Sequence, residues 1–487
     1  MKAILILSAA LVAAQSPAAI RALSHDDYGN PGSWQRRRHA EKRAAATNEG
    51  AKVVFVGDSI THFWETTGRR QLDRYFSGDL KMLNLGVSAD RTEHVLWRLN
   101  EGGELDGYEA KCVLLMIGTN NTGHIPLAKE APGDTILGVR EILRTIRAKQ
   151  PGATVVLSAI FPRGATADDP LRIRNDVVNK EIQKFADGRH VFWCDFTDQF
   201  LTADGRLSRD VFPDLLHPGP LGYEIWHAAV RPYIDFALSN GALPTPVNRY
   251  ASRVNDRVYR LEQGVAAFPE SRIRSEGYGK EDWWLDRLQE KRTQIAGANG
   301  RIDLVFFGDS ITHNWEGPGK ASLDELRKTY TVLDIGYSGD KTENLLWRGE
   351  YGGELDGYEA KCVMLMIGTN NTWHRSDPPE AIAAGVRAVL DLVARKQPGA
   401  TTLLLPIFPF GKGPADAKRA NNEKANALIK DFADGKKVVW VDFNDRFLDP
   451  AGDNSALMPD NCHPNAKGYA DVWLPAVLPH FKEICGR

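Results

Sequence analysis

The sequence of 487 residues lacks most of the patterns that mark metal, nucleotide and membrane proteins. It contains no His-Glu-x-x-His motif, no phosphate loop and no dinucleotide fingerprint, which argues against metal or nucleotide chemistry. Its five cysteines include no Cys-x-x-Cys pair of the zinc type. A net charge of −2 gives no basic field for nucleic acid. Outside the N-terminus, no run approaches the ~18 apolar residues of a membrane span.

One apolar run, residues 3–14, follows Met1 and Lys2 and has about the length of a signal-peptide core. Small residues offer cleavage sites near Ala14 or Ala18, so we expect a leader over residues 1–22 and export to the periplasm or the exterior. A short membrane anchor is the alternative, and the mature chain is expected to have no membrane span. The sequence leaves open a disulfide between Cys462 and Cys485.

The chain contains the same domain twice. The stretch from residue 53 to 65 recurs at 304–316, and residues 102–113 recur without change at 352–363. A repeat of ~250 residues is far too long for a solenoid unit. The predicted organisation places the first domain at 24–239 and the second at 271–487. Between them, a linker at 240–270 contains a predicted helix at 249–263.

Short apolar runs alternate with helical patterns in each copy. In the first copy, the runs predict strands near 53–56, 81–85, 111–117, 154–160 and 190–195. Strands separated by crossover helices indicate a parallel sheet with helices on both faces. The predicted fold is therefore α/β: two tandem three-layer sandwiches, each with a five-stranded parallel sheet.

Polar residues capable of acyl transfer follow the ends of these strands. Ser59 follows the first strand in a Gly-Asp-Ser turn, and such strand ends converge on one edge of a parallel sheet. A serine hydroxyl needs a base to take its proton. His217 is the candidate base, and Asp214, three residues earlier, can orient it; alone, this Asp-x-x-His-Pro sequence could also be a simple turn. The matching residues of the second copy are Ser310, His463 and Asp460.

Two further strand ends offer donors for the oxyanion of a tetrahedral intermediate. The candidates are the backbone N–H groups of Ser59 and Gly86 and the side-chain amide of Asn120, with Gly336 and Asn370 in the second copy. Taken singly, each glycine or asparagine could merely form a turn. Their recurrence in the same order in both copies favours the functional interpretation.

Several other residues recur or differ at matching positions. Trp64 and Trp315 are predicted either to stack on a sugar or to belong to the core, and Arg98 and Arg348 to form structural ion pairs. His62 and His313, like His124 and His374, are predicted to be structural loop residues. The alternatives are that they are rival bases or substrate contacts. Arg163 in the first copy corresponds to Phe410 in the second, which predicts different substrate contacts unless Arg163 is structural.

These motifs resemble those of the GDSL, or SGNH, hydrolase superfamily, in which four blocks contribute Ser, Gly, Asn and His. The resemblance is strongest to the branch of small acetylhydrolase subunits that act on platelet-activating factor. It is carried by residues 57–59, 95–99, 118–121 and 161–164. The resemblance implies a flavodoxin-like sheet and catalysis without metal or cofactor. Since many exported bacterial members deacetylate carbohydrates, it also implies an acetylated carbohydrate or another small acyl ester as substrate.

The expected function is therefore an exported serine esterase with one site per domain, which removes short acyl groups, above all acetyl, from carbohydrate hydroxyls. The alternatives are a lipid-type acetylhydrolase or an acyl thioesterase. A further alternative is that one domain is a binding module without activity. The sequence names neither the sugar nor the acetylated position.

Overall fold

The protein is described by a computed structural model, which covers residues 17–24, 34–76, 80, 82–125, 129–239, 242, 265–273 and 282–486. The chain divides into two compact units, Met1–Arg253 with Ile273–Gln289, and Val254–Arg272 with Glu290–Arg487. The helix predicted at 249–263 and most of the predicted linker lie outside the described residues.

The first domain is built on one sheet of five parallel strands in the order β2-β1-β3-β4-β5. The strands are β1 Val53–Gly57, β2 Met82–Gly86, β3 Cys112–Met116, β4 Thr154–Ser158 and β5 Val191–Cys194. The main helices are Trp34–Glu49, Arg69–Tyr75, Thr92–Leu99, Pro132–Lys149, Pro170–Ile182 and Pro220–Ser239. This strand order is the one found in flavodoxin-like folds.

The second domain repeats this sheet in the order β7-β6-β8-β9-β10. Its strands are β6 Arg301–Gly308, β7 Val332–Gly336, β8 Glu359–Met366, β9 Thr401–Leu404 and β10 Val438–Trp440. The main helices are Lys320–Arg327, Thr342–Glu350, Pro379–Lys396, Ala417–Ile429 and Leu474–Cys485. A further helix, Trp283–Gly297, belongs to the first unit up to Gln289 and to the second from Glu290. The predicted fold class, two α/β domains with five parallel strands each, is confirmed.

The strands form because their sequences are apolar on both faces. All five residues of β1 are buried, as are all five of β3, which is the pattern of a parallel sheet covered by helices on both sides. β1 lies between β2 and β3, with Gly57 level with Gly86 and Met116. The carboxyl ends of these three strands therefore meet at one edge, where the candidate residues follow them.

A short segment ahead of the predicted start of each domain packs onto it. Residues 18–20 form a 3-10 helix in which Ala19 is fully buried, and Leu23 N–H donates to the carbonyl of Glu93. The second domain has the same arrangement at Val265–Ala267, with Ala266 buried. The predicted leader thus overlaps packed residues at 17–22, and the predicted linker overlaps packed residues at 265–270.

Two further observations concern membrane-spanning helices and the cysteines. Within the described ranges, no helix combines the length and the apolar character needed to cross a membrane. All five cysteines are free thiols, so the disulfide that the sequence left open between Cys462 and Cys485 is not formed.

Candidate active site

The candidate nucleophile lies in a tight turn between β1 and a short helix, Ser59–His62. Gly57 makes this turn possible, since a Cβ there would overlap the side chain of Thr61. Asp58 caps the helix, because its Oδ1 accepts a hydrogen bond from the N–H of Ile60 at 3.0 Å. Ser59 is thereby held as the first helical residue, at the carboxyl edge of the sheet. Asp309 and Ser310 repeat this arrangement in the second domain.

The structure brings the predicted Ser, His and Asp of the first domain together. Ser59 Oγ lies 2.9 Å from His217 Nε2, and His217 Nδ1 lies 2.7 Å from Asp214 Oδ2. Burial raises the pKa of Asp214, but hydrogen bonds from the backbone N–H and the ring of His217 outweigh it and hold the pKa below its usual value. Asp214 is therefore an anion that fixes the ring with Nδ1 protonated and Nε2 facing the serine.

The second domain has the same geometry. Ser310 Oγ lies 2.8 Å from His463 Nε2, and His463 Nδ1 lies 2.6 Å from Asp460 Oδ2. Asp460 also accepts a hydrogen bond from the backbone N–H of His463 at 2.7 Å, so the carboxylate binds both the ring and the backbone of the histidine. Each domain can therefore activate its own serine.

The expectation that Gly86 and Gly336 donate to an oxyanion is wrong. The N–H of Gly86 already donates to Asn84 Oδ1 at 2.8 Å, and that of Gly336 to Asp334 Oδ1 at 2.7 Å. Glycine is needed there for another reason: a Cβ on Gly86 would overlap the backbone nitrogen of His62. Gly86 thus lets β2 pack closely against the turn that carries the nucleophile.

Asn120 and Asn370 do lie at the site, and they identify a donor that the sequence reasoning missed. The Asn120 amide donates one hydrogen to the carbonyl of Asp90 at 2.9 Å and keeps a second hydrogen for a ligand. The residue before Asp90 is Ala89, which has a left-handed φ of 68°, and its backbone N–H donates to no described residue. Gly339, with φ 79°, takes this place in the second domain. The difference between Ala89 and Gly339 was visible in the sequence, but the backbone conformation was not.

A buried ion pair fixes this loop. The guanidinium of Arg98 contacts the carboxylates of Asp90, at 2.6 Å, and Glu104, and all three side chains are buried. In the second domain, Arg348 contacts Asp340 at 2.9 Å in the same way. The prediction of structural ion pairs at these arginines is confirmed. Because Asp90 also binds Asn120 through its carbonyl, the ion pair holds the amide indirectly.

The other repeated histidines stay outside the Ser-His-Asp arrangement. His62 Nδ1 lies 2.9 Å from Ser88 Oγ, and burial lowers the pKa of His62 to about 4. His124 closes the short helix that begins at Thr119, and burial, with Arg163 and Arg91 nearby, lowers its pKa. His374 occupies the matching place. His62, His124 and His374 are not bonded to a carboxylate within the described part of the chain, so none of these three matches His217 as a base.

The idea that Trp64 and Trp315 stack on a sugar is wrong. Both side chains are 0% exposed. Trp64 packs against the rings of Phe55, Tyr223 and Trp226 in the core below the nucleophile. A ring enclosed in this way cannot reach a substrate, and the core interpretation that the sequence left open is the right one.

Arg163 and Phe410 differ in the way the sequence suggested, but neither presents an open surface. Arg163 Nη1 donates to the carbonyl of Thr119 at 3.0 Å, beside Asn120. Phe410 is 6% exposed and is covered by Trp373, whose ring centroid lies 4.9 Å away. Trp373 itself is 49% exposed. The sequence reasoning missed Trp373, although its counterpart in the first domain, Gly123, could have signalled the change.

No group of three or more His, Cys, Asp or Glu side chains in the described ranges is placed to hold a metal ion. The site itself combines a serine beside a histidine, a carboxylate behind the histidine and an amide donor near the serine.

Comparison with known proteins identifies what the chain is similar to. The model of the GDSL-like lipase/acylhydrolase family matches residues 55–225 and again 306–470. Platelet-activating factor acetylhydrolase IB subunit alpha1 from Homo sapiens is 33% identical over 198 residues, which are 40% of this chain and 80% of the relative. The alpha2 subunit from Rattus norvegicus is 32% identical over 216 residues, 44% of this chain and 89% of the relative. A GDSL-like lipase from Bacteroides thetaiotaomicron, 19% identical, covers 42% of this chain and 98% of its own, with a TM-score of 0.35.

Proposed function

We propose that each of the two domains is a serine esterase that removes short acyl groups from carbohydrate hydroxyls. The premise is that the chain belongs to the GDSL-like lipase/acylhydrolase family and is a carboxylic ester hydrolase. The observation that carries this proposal is the Ser-His-Asp geometry, which is complete in both domains. A domain kept only for binding would be free to lose it.

The geometry supports a two-step reaction. Ser59 Oγ attacks the ester carbonyl while His217 Nε2 takes its proton, and Asp214 stabilises the imidazolium. The oxyanion would accept hydrogen bonds from the amide of Asn120 and from the free N–H of Ala89. The leaving alcohol receives the proton from His217, and a water molecule, deprotonated by the same histidine, then releases the acid and restores the serine. The second domain would use Ser310, His463, Asp460, Asn370 and Gly339 in the same roles.

Acetyl is the proposed acyl group because the curated relatives are named acetylhydrolases. The carbohydrate acceptor is supported by the exposed ring of Trp373, three residues after Asn370, since sugars stack on such rings. The apolar run at 3–14 supports export. The second candidate is a lipid-type acetylhydrolase, favoured by the same relatives, which are named for platelet-activating factor.

The catalytic assignment is tested by changing the two serines singly and together. We expect S59A and S310A each to retain one active site, and the double variant to lose at least ~10³-fold of kcat for p-nitrophenyl acetate. Ser88→Ala is the matched control, because Ser88 is a serine of the same region that bonds His62 and not His217. A double variant as active as the parent would exclude both serines as nucleophiles.

The acceptor is tested with a panel of acetylated monosaccharides, acetylated glycans and glycerophospholipids with an acetyl group. We expect kcat/KM to fall steeply as the acyl chain grows from acetyl to octanoyl. Preference for chains of eight or more carbons, or for the phospholipid over every sugar ester, would refute the carbohydrate proposal and favour the lipid one.

A further inference from the structure

Three side chains of the second domain form a surface that the first domain does not have. Trp373 packs edge-to-face on Phe410, and the ammonium of Lys418 lies 3.7 Å from the centroid of the Trp373 ring. Trp373 remains 49% exposed, so an apolar surface stays open to solvent beside a positive charge. We call these three residues the Trp373 platform.

The platform lies at the rim of the second site. Trp373 follows Asn370 by three residues in the helix Thr369–Arg375, so the two share one side of that helix. The residue after Phe410 is Gly411, whose N–H donates to the carbonyl of Asn461, two residues before His463. The platform is thus joined to the loop of the oxyanion amide and to the loop of the base. A substrate whose acyl group reaches Ser310 would extend its alcohol part past these residues.

The first domain has Gly123, Arg163 and Leu171 at the three matching positions. A Cβ on Gly123 would overlap Arg163 Nη1, so a larger residue at 123 would displace the flexible end of the arginine side chain. Arg163 Nη1 donates to the carbonyl of Thr119, which holds the guanidinium at this place. The residues at 123 and 163 are thus neighbours, and both are different in the second domain.

The charge of the platform indicates what it binds. Lys418 forms no ion pair with any residue in the described ranges. Burial lowers the pKa of His374, and the nearby cations Lys341, Arg272 and Lys418 lower it further. Arg272 and Lys341 are each near a carboxylate, at 3.1 Å from Asp340 and 3.8 Å from Glu343. Of these three cations, Lys418 is the one that contacts an aromatic ring and no carboxylate of the described ranges.

We propose, on the basis of the function proposed above, that the Trp373 platform makes the second domain selective for acyl esters of acidic sugars. The sugar ring packs on the part of Trp373 that Lys418 and Phe410 leave exposed, and the sugar carboxylate pairs with Lys418 beside it. The first domain, with Gly123 and Arg163, lacks this selectivity. Duplication has therefore produced two specificities in one chain.

The test uses the full chain carrying S59A, so that only the second site is active. Two substrates are compared that differ in one group: an acetylated methyl glucuronoside and the methyl glucoside acetylated at the same position. We expect kcat/KM to favour the glucuronoside about fivefold, the effect of one partly exposed ion pair. K418M should bring the glucuronoside-to-glucoside ratio of kcat/KM to about one. W373G should lower kcat/KM for both sugars relative to that for methyl acetate, which has no ring.

Each result supports or overturns the proposal. Equal kcat/KM for the two sugars, or a preference that survives K418M, overturns the selectivity while the esterase assignment stands. Hydrolysis of methyl acetate without hydrolysis of either sugar refutes the carbohydrate function itself. A larger effect of K418M on an acetylated glycerophospholipid than on the glucuronoside assigns the anion to a lipid headgroup and overturns the proposal.

A reciprocal exchange supplies the matched control. The chain carrying S310A has only the first site active, and we expect it to hydrolyse the two sugars with equal kcat/KM. Adding G123W, R163F and L171K together should give it a preference for the glucuronoside. A first site that already shows the preference, or an exchanged site that hydrolyses methyl acetate normally but shows none, contradicts the proposal.

Discussion

Replacing Asp58 with asparagine tests how the turn before the nucleophile is held. Asp58 is fully buried, its Oδ1 caps the helix Ser59–His62, and its Oδ2 has no hydrogen-bond partner among the described residues. Burial raises the pKa of Asp58 from 3.8 to about 7; the nearby Asp90 adds to this effect, and Arg163 opposes it. The carboxyl is therefore largely protonated in the folded domain below neutral pH.

The sign and size of the effect follow from this pKa. Between about pH 4 and pH 7, Asp58 is protonated in the folded state and ionised in the unfolded state, so raising the pH favours unfolding. A pKa that moves from 3.8 to about 7 corresponds to at most ~4 kcal/mol of unfolding free energy lost over that interval. Asparagine cannot titrate, so D58N removes this loss while keeping the carbonyl oxygen that caps the helix.

The assay is chemical denaturation of the parent and D58N from pH 4 to pH 8, following the transition of the first domain. We expect the unfolding free energy of D58N, relative to the parent, to rise with pH up to about pH 7 and then to stay constant. A constant offset from the asparagine amide does not affect this slope. D309N is the matched variant of the second domain, because burial raises the pKa of Asp309 to about 7 as well. It should leave the pH dependence of the first domain unchanged. Parallel pH curves for D58N and the parent would refute the reasoning.

Three further changes test other parts of the site. A89G should stabilise the first domain by about 0.5–1 kcal/mol, because the strain of a left-handed φ at alanine exceeds the conformational entropy that glycine loses on folding. Denaturation measures this change, and a destabilised variant would contradict the expectation. W64A should lower the unfolding free energy by about 3–5 kcal/mol and leave the KM of the folded enzyme unchanged, since the ring is enclosed in the core; a raised KM at full folding would revive the sugar-stacking role. G86A should lower kcat at the first site and the stability of its domain together, because the new Cβ overlaps the turn at His62; S310A is the background for that assay, and unchanged kinetics would exclude the close packing.

The sequence predicted the sheet and the acyl-transfer residues because both leave local signals. Buried parallel strands are continuous apolar runs, and Ser59 and His217 stand next to turn residues at strand ends. The oxyanion donor was misassigned to Gly86 because a glycine shows that space is short, not which neighbour takes it. Here the backbone of His62 takes it, while the free N–H belongs to Ala89.

The aromatic residues show a second limit of the sequence. Trp64 and Trp373 both lie near a candidate residue in the chain, but the first is fully buried and the second half exposed. Whether a tryptophan faces the core or a ligand depends on the helices that pack over it, and these come from distant parts of the chain. Trp64 is enclosed by Tyr223 and Trp226, more than 150 residues later.

The packed segment at residues 17–24 limits how far the first domain can be shortened from its N-terminus. Gly138 lies against this segment so closely that a Cβ there would be 2.6 Å from the carbonyl oxygen of Ala19, and Gly385 has the same relation to Ala266 in the second domain, at 2.7 Å. A truncated chain starting at residue 17 keeps this contact. One starting at residue 25 loses it and exposes the surface of the helix Pro132–Lys149 around Gly138. A peptidase cutting after Ala18 would place a new charged terminus at Ala19, which is fully buried.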